Sequence, residues 1–250
     1  MVQKNLSQEW FDNDKEEKVR GVDVIAVGAH PDDIELWCGG TIACLVNKGY
    51  KVGLVDLSLG ELGTRGNKDT RRMEAQRAAE VLGVSFRTNL CFPDGEIKPT
   101  SENRNELLKI IRAYKPDWIF SHSQSGHPDH WNAEVLVREA VHHSGLAKLE
   151  TELPRHRPQV IASWLQFDSP RVPEIVFDIS ESWAIKEEAI RCYVSQLYNP
   201  QSVDPKTILT DVNFVDRIRS HNRFMGSLSN CRYGEGFLLS RIPRVTDLNF

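Results

Sequence analysis

Short apolar runs alternate with amphipathic stretches along residues 22–145. Nearly continuous apolar runs, such as residues 23–28, 51–57 and 118–120, predict strands that are buried on both faces of a sheet. The stretches between them have the three- and four-residue apolar spacing of helices. This alternation of strands and helices predicts a single α/β domain with a Rossmann-like, doubly wound, mostly parallel sheet and helices on both faces.

The boundaries of several elements can also be predicted. Gly39 and Gly40 are expected to open a helix that ends near Lys48, and Met73 is expected on the inner face of a helix over residues 68–82. Further along the chain, strands are predicted at residues 89–92, 160–167 and 175–177, and helices at residues 182–196 and 211–225. Residues 107–114 are the apolar part of another helix, and residues 135–143 continue a helix that begins before them.

Residues 1–20 are polar and predict a loosely held extension before a domain at residues 21–250. That extension has no apolar stretch of the kind that signal peptides carry, and no run in the chain has the length of a membrane span. The five cysteines show no metal-binding spacing and favour reduced thiols. We therefore expect a cytoplasmic protein without a membrane partner.

The chain has 250 residues, an apolar fraction of 40% and a net charge of −4. This composition supports a substantial core, and the charge argues against a general nucleic-acid partner. It does not exclude a local basic pocket for a small anionic molecule.

Two motifs rich in imidazoles and carboxylates each follow a predicted strand. The first is Ala-His-Pro-Asp-Asp at residues 29–33, and the second is Gly-His-Pro-Asp-His at residues 126–130. Both strands are expected to end at one edge of the sheet, where open α/β sheets hold their ligands. The motifs are therefore predicted to converge.

The side chains of these motifs suit a catalytic Zn²⁺ site with three protein ligands and an open position for water. His30 and Asp33 supply two ligands, and either His127 or His130 supplies the third. Asp32 could take a proton from water, and the remaining histidine could stabilise an oxyanion or protonate the leaving amine. Asp129 is placed to hold one imidazole through its second nitrogen.

Other candidate residues favour structural roles. His122 directly follows a strand and could support the metal ligands, although a structural histidine is more typical of this position. Asp94 lies in a Pro-Asp-Gly sequence, which is typical of a turn.

Taken together, the motifs resemble those of the LmbE/PIG-L-type zinc-dependent deacetylases of N-acetylglucosamine derivatives. The resemblance is carried by residues 28–41 and 126–130, with support from residues 56–66, 193–200 and 233–237. Within that superfamily the sequence is most similar to the branch that acts in bacillithiol biosynthesis.

The resemblance implies one Zn²⁺ per subunit, bound by His30, Asp33 and His130. It also implies that Asp32 is the general base and that His127 is the charged stabiliser. Phe214 takes the place of a tyrosine that family members carry near the pocket. Relatives of this kind are often homo-oligomers, including hexamers, which is the expected assembly.

The implied substrate is a sugar conjugate, N-acetylglucosaminyl malate, which carries two carboxylates. Guanidinium groups bind carboxylates with two parallel hydrogen bonds, so arginines are the expected partners. Arg71 and Arg157 match arginines of the family, and Arg65 in the glycine-rich loop is a third candidate.

Two other enzyme functions keep the same chemistry: deacetylation of chitooligosaccharides and hydrolysis of the amide of a thiol S-conjugate. A non-catalytic nucleotide-binding protein is an alternative from a different class. That alternative calls for a GxGxxG turn after the first strand. The acidic His-Pro-Asp-Asp turn found there would instead repel a pyrophosphate.

Overall fold

A computed structural model describes residues 21–124, 126–149 and 151–242, so the predicted extension at residues 1–20 lies outside the described residues. The strands are β1 (Val24–Gly28), β2 (Val52–Ser58), β3 (Phe86–Phe92), β4 (Trp118–His122), β5 (Val160–Trp164), β6 (Ile175–Asp178) and β7 (Gly234–Leu239). The α-helices are α1 (Asp33–Asn47), α2 (Lys68–Leu82), α3 (Ser101–Tyr114), α4 (Pro128–Ser144), α5 (Trp183–Arg191) and α6 (Phe214–Ser227).

The seven strands form one sheet in the order β3-β2-β1-β4-β5-β7-β6. The first five in this order are parallel, and β7 runs antiparallel to both of its neighbours. The strand order reverses between β1 and β4, which opens a crevice at the carboxyl ends of these strands. The predicted doubly wound α/β fold is confirmed, although β7 was not among the predicted strands.

Helices cover both faces of the sheet because the buried strands present apolar side chains to both sides. On one face, α3 and α4 pack against residues such as Ile25, Val55 and Ile119. On the other face, α1, α2 and α5 pack against residues such as Ala26 and Leu54. The site at the crevice is therefore built on rigid, buried strands.

Helix α1 begins at Asp33 rather than at the predicted Gly39, so it includes part of the first motif. Asp32 precedes it with a φ of 118°, a left-handed conformation that turns the chain from β1 into the helix. The apolar residues Ile34 and Leu36 are buried, which extends the inner face of the helix toward its start.

Two further expectations were wrong. The helix predicted to end at residue 196 ends at Arg191, because Ser195 instead donates its backbone N–H and its hydroxyl to the Glu74 carboxylate. Met73 is 55% exposed, because α2 turns Glu74, Ala75 and Ala78 toward the core. Among the described residues, no helix combines the length and hydropathy that a bilayer span requires.

Candidate metal centre

The first motif folds into a tight turn at the end of β1. The backbone N–H of His30 donates to Asp33 Oδ2 over 2.8 Å, and His30 Nδ1 lies 3.3 Å from the same oxygen. The turn therefore places an imidazole and a carboxylate side by side at the start of α1.

The second motif forms the start of α4, just beyond β4. His127 caps this helix, because its Nδ1 accepts the backbone N–H of Asp129 over 3.2 Å, and Pro128 occupies the first turn. One turn of helix then presents His130, whose Nε2 lies 3.2 Å from Asp33 Oδ1. The two motifs meet in the structure as the sequence predicts.

The residues of this cluster fit a divalent metal. Ligand atoms of His30, Asp33 and His130 all lie within 4.8 Å of one another. Tetrahedral zinc with bonds of about 2.1 Å separates its ligand atoms by roughly 3.4 Å. The Asp33 oxygens lie at similar distances, 3.3 Å from His30 Nδ1 and 3.2 Å from His130 Nε2. Imidazole nitrogens with one carboxylate oxygen are also a preferred donor set for zinc. His127 and Asp129 form a second possible set with His30.

His30 is surrounded by carboxylates on both sides of its ring. Its Nε2 lies 3.0 Å from Asp94 Oδ1 and 3.4 Å from Asp129 Oδ2. Burial lowers the pKa of His30, but hydrogen bonds to Asp129, Asp33 and Asp94 outweigh burial and raise this pKa well above its usual value. Such partners fix the orientation of a metal-binding imidazole.

Asp94 is therefore a site residue that sequence reasoning assigned only to a turn. The turn also orients the Asp94 side chain, because the backbone N–H of Leu62 donates to Asp94 Oδ2 over 2.9 Å while Oδ1 faces His30. The next residue, Gly95, donates its N–H to Asp129 Oδ2 over 2.8 Å. The position of Asp94 after β3, at the carboxyl edge of the sheet, was the available signal.

His122 also lies at the site, in the supporting position that was the less favoured of the two roles expected for it. Its Nε2 lies 3.3 Å from Asp33 Oδ2 and accepts the backbone N–H of Ala29 over 2.9 Å. Burial and then His130 lower the pKa of His122 to about 4, so the ring is neutral at neutral pH. Because the amide occupies its Nε2 lone pair, His122 supports the ligands rather than joining them.

Asp32 lies beside the ligands and faces Arg71 instead of the imidazoles. Its Oδ2 is 3.1 Å from Arg71 Nη2, and the same guanidinium donates to the carbonyl of Pro31. Burial raises the pKa of Asp32 to about 7, against the opposing charge of Arg71 and with a further rise from Asp33. A carboxylate with this pKa suits proton transfer near neutral pH.

His127 is exposed at the mouth of the cluster. Its ring centre lies 5.1 Å from that of His30 and 4.9 Å from that of His130. Burial of part of the ring, followed by the nearby His130 and His30, lowers the pKa of His127. A lowered pKa favours the neutral imidazole, whereas the family resemblance implies a positively charged His127.

The three arginines predicted to bind substrate lie in different environments in the structure. Arg71 reaches the site, but Arg65 is buried and donates to the carbonyl of Ser195 and to Ser202 Oγ over 2.8 Å each. Arg65 therefore ties the glycine-rich loop to residues 195–202. Arg157 donates to the carbonyl of His142, in the last turn of α4 and far from His130 in its first turn. Arg157 thus lies away from the metal cluster of its own chain, and its role in substrate binding stays a prediction.

Known proteins resemble this chain in both sequence and fold. The profile of the PIG-L family, described as GlcNAc-PI de-N-acetylase, matches residues 25–141. Diacetylchitobiose deacetylase of Thermococcus kodakarensis is 31% identical over 229 residues, which cover 85% of this chain and 81% of the relative. The 4-oxalmesaconate hydratase of Pseudomonas putida is 29% identical over 89% of this chain and 90% of its own.

The crystal structure of a conserved protein from Thermus thermophilus superposes with a TM-score of 0.79. It is 31% identical and covers 90% of this chain and 97% of its own. The chain belongs to the PIG-L family, which confirms the resemblance seen in the two motifs. It is accordingly an enzyme of the kind that its deacetylase relatives represent, a hydrolase that acts on carbon–nitrogen bonds.

Proposed function

We propose that the protein is a zinc-dependent deacetylase of N-acetylglucosamine conjugates and that N-acetylglucosaminyl malate is its substrate. The observation that carries the proposal is the meeting of His30, Asp33 and His130, with the buried Asp32 beside them. The diacetylchitobiose deacetylase relative supports the N-acetylglucosamine part of this proposal.

Each residue of the cluster has a role in this reaction. His30, Asp33 and His130 would hold the metal, which when bound polarises the acetyl carbonyl and lowers the pKa of water. Asp32 accepts the proton of the attacking water, and Arg71 holds the Asp32 carboxylate in place. His127, exposed at the mouth, donates a hydrogen bond to the developing oxyanion. The proton that Asp32 took from water then passes to the amine that leaves.

The proposal can be tested with metal-stripped protein that is reloaded with zinc. Release of the free amine is measured with N-acetylglucosaminyl malate, diacetylchitobiose and the amide of a thiol S-conjugate as substrates, and acetate is measured as well for the two N-acetyl compounds. We expect the malate conjugate to be the best substrate, with activity lost on chelation and restored by zinc. A preference for diacetylchitobiose or for the thiol conjugate would keep the chemistry and replace the substrate.

Hydration is a second candidate function, because a relative of similar identity and coverage is a hydratase. A buried carboxylate beside a metal site can also direct water to a carbon–carbon double bond. The panel therefore includes 4-oxalmesaconate, followed by loss of its ultraviolet absorbance. Turnover of this compound without acetate release from any amide would overturn the proposed deacetylase.

A further inference from the structure

The segment after β5 forms one border of the metal centre. Gln166 Nε2 lies 3.4 Å from Nδ1 of both His122 and His130. Two residues later, Asp168 Oδ2 accepts the backbone N–H of Gly126, the first residue of the second motif, over 2.6 Å. Phe167 lies between these two contacts and is 36% exposed, so it is at the border of the site and open to solvent.

Aromatic rings fix the orientation of Phe167. Trp37, one helical turn after Asp33 on α1, meets the Phe167 ring edge-to-face at 4.8 Å between ring centres. His221 on α6 meets it in the same way at 5.3 Å. Edge-to-face contacts of this kind restrict a ring to one position. Phe167 is thus a fixed surface supported from both α1 and α6.

Arg217 of α6 lies over this fixed ring. Its guanidinium carbon is 5.3 Å from the Phe167 ring centre, and the residue is exposed. The attraction of a guanidinium to a ring face does not require its N–H groups as hydrogen-bond donors, so they stay available for a ligand. In the part of the chain that the structure describes, Arg217 has no carboxylate partner, whereas Arg219 on the same helix pairs with Asp216 and Glu187.

We propose that Arg217, positioned by Phe167, binds a carboxylate on the part of the substrate that extends beyond the N-acetylated sugar. The inference rests on the proposed function and names the residue that selects an anionic conjugate. A negatively charged chain needs a local cation to bind such a group, yet Arg65 and Arg157 donate to other partners and Arg71 faces Asp32. The guanidinium edge of Arg217 matches a carboxylate with two parallel hydrogen bonds.

The test compares N-acetylglucosaminyl malate with the neutral methyl glycoside of N-acetylglucosamine in zinc-loaded protein. We expect Arg217→Ala to raise KM for the malate conjugate roughly 10-fold or more, because a hydrogen bond to a charged group is lost. The kcat for the malate conjugate and both constants for the methyl glycoside should not change. Arg217→Lys should restore part of the selectivity, and Phe167→Leu should lose part of it.

Arg223→Ala is the matched control, because Arg223 also lies on α6 and stacks on a ring, that of Tyr233 at 5.7 Å. It should leave the selectivity unchanged. Equal effects of Arg217→Ala on both substrates, or no effect on either, would overturn the inference.

Calorimetric binding separates this inference from the proposed function. The deacetylated product, glucosaminyl malate, and methyl glucosaminide are titrated into wild-type and Arg217→Ala protein. Selective binding that Arg217→Ala abolishes, without acetate release, would reject the proposed function and keep the inference. Acetate release without any preference for the malate compound, in turnover or in binding, would keep the deacetylase and reject the role of Arg217.

Discussion

Two neighbouring carboxylates at the start of α1 differ in electrostatic state. Burial raises the pKa of Asp33, but His130 and His122 outweigh burial and hold that pKa well below its usual value. Asp32, by contrast, has its pKa raised to about 7. The left-handed backbone of Asp32 separates the two side chains, so that Asp33 faces the imidazoles and Asp32 faces Arg71. This difference suits Asp33 to metal binding and Asp32 to proton transfer.

Replacing Asp32 with alanine should separate these two roles in solution. We expect Asp32→Ala to bind zinc with wild-type stoichiometry and to lose about 10²- to 10⁴-fold in kcat, the usual contribution of a general base. Metal content and acetate release measure the two effects. Asp33→Ala is the companion variant and should lose the metal itself. A zinc-loaded Asp32→Ala protein with wild-type turnover would contradict the assigned role.

His122 offers a second test at the scale of one residue. His122→Leu removes the acceptor of the Ala29 N–H, and an unpaired buried donor costs about 1–3 kcal/mol of the free energy of unfolding. Urea unfolding measures this loss. The exposed His142→Leu should change stability by less than about 0.5 kcal/mol.

The same His122→Leu protein should still bind one zinc ion per chain, because His30, Asp33 and His130 remain. If its zinc content fell to that of Asp33→Ala, His122 would itself be a ligand. Metal analysis of the folded variant therefore distinguishes support from coordination.

At the scale of elements, local pattern predicted six of the seven strands, missed β7 and placed helix ends poorly. The runs that form β1, β2 and β4 are mostly apolar and almost entirely buried, as expected for strands covered on two faces. The start of α1 was misplaced because a polar turn with an unusual backbone at Asp32 leads into it. The two glycines that suggested a start lie inside the helix, where Gly40 packs against Ile179. Such a contact between distant segments leaves no local sequence signal.

These two glycines should respond in opposite ways to alanine. A Cβ at Gly40 would lie 2.6 Å from Ile179 Cδ1, so Gly40→Ala should destabilise the protein by about 1–3 kcal/mol through overpacking. A Cβ at Gly39 would find its nearest neighbour at 3.5 Å, so Gly39→Ala should gain up to about 1 kcal/mol from helix propensity. Urea unfolding of both variants checks the pair, and equal shifts would contradict the packing argument.

At the scale of the whole molecule, the sequence predicted the architecture and the meeting of the two motifs. Both predictions rest on a general property, since the carboxyl ends of parallel strands share one edge. The residues that surround the metal cluster were harder to predict from the sequence. Asp94 and His122 have ordinary local roles in sequence, and only the sheet brings them to His30 and Asp33. Arg65 has the right charge, but its partners Ser195 and Ser202 lie in a distant segment.

Metal removal should lower the stability of the entire domain, because the proposed ligands come from both sides of the crevice. Zinc at 100 times its dissociation constant should add about 2.7 kcal/mol to the free energy of unfolding. Thermal unfolding with chelator and with added zinc measures the shift. Asp33→Ala serves as the control, and its unfolding temperature should not change with zinc. A wild-type protein whose unfolding temperature also does not change with zinc would contradict the proposed metal site.

The reversal of strand order between β1 and β4 has one more consequence. His30 and Asp33 lie in the first part of the chain and His130 in the second, and the exposed turn at Gly83 separates the two parts away from all three residues. If the polypeptide were produced as two fragments divided at Gly83, neither fragment would contain all three metal ligands. Zinc uptake by the mixture would then report that β1 and β4 had paired, which makes the ion a sensor of fragment complementation.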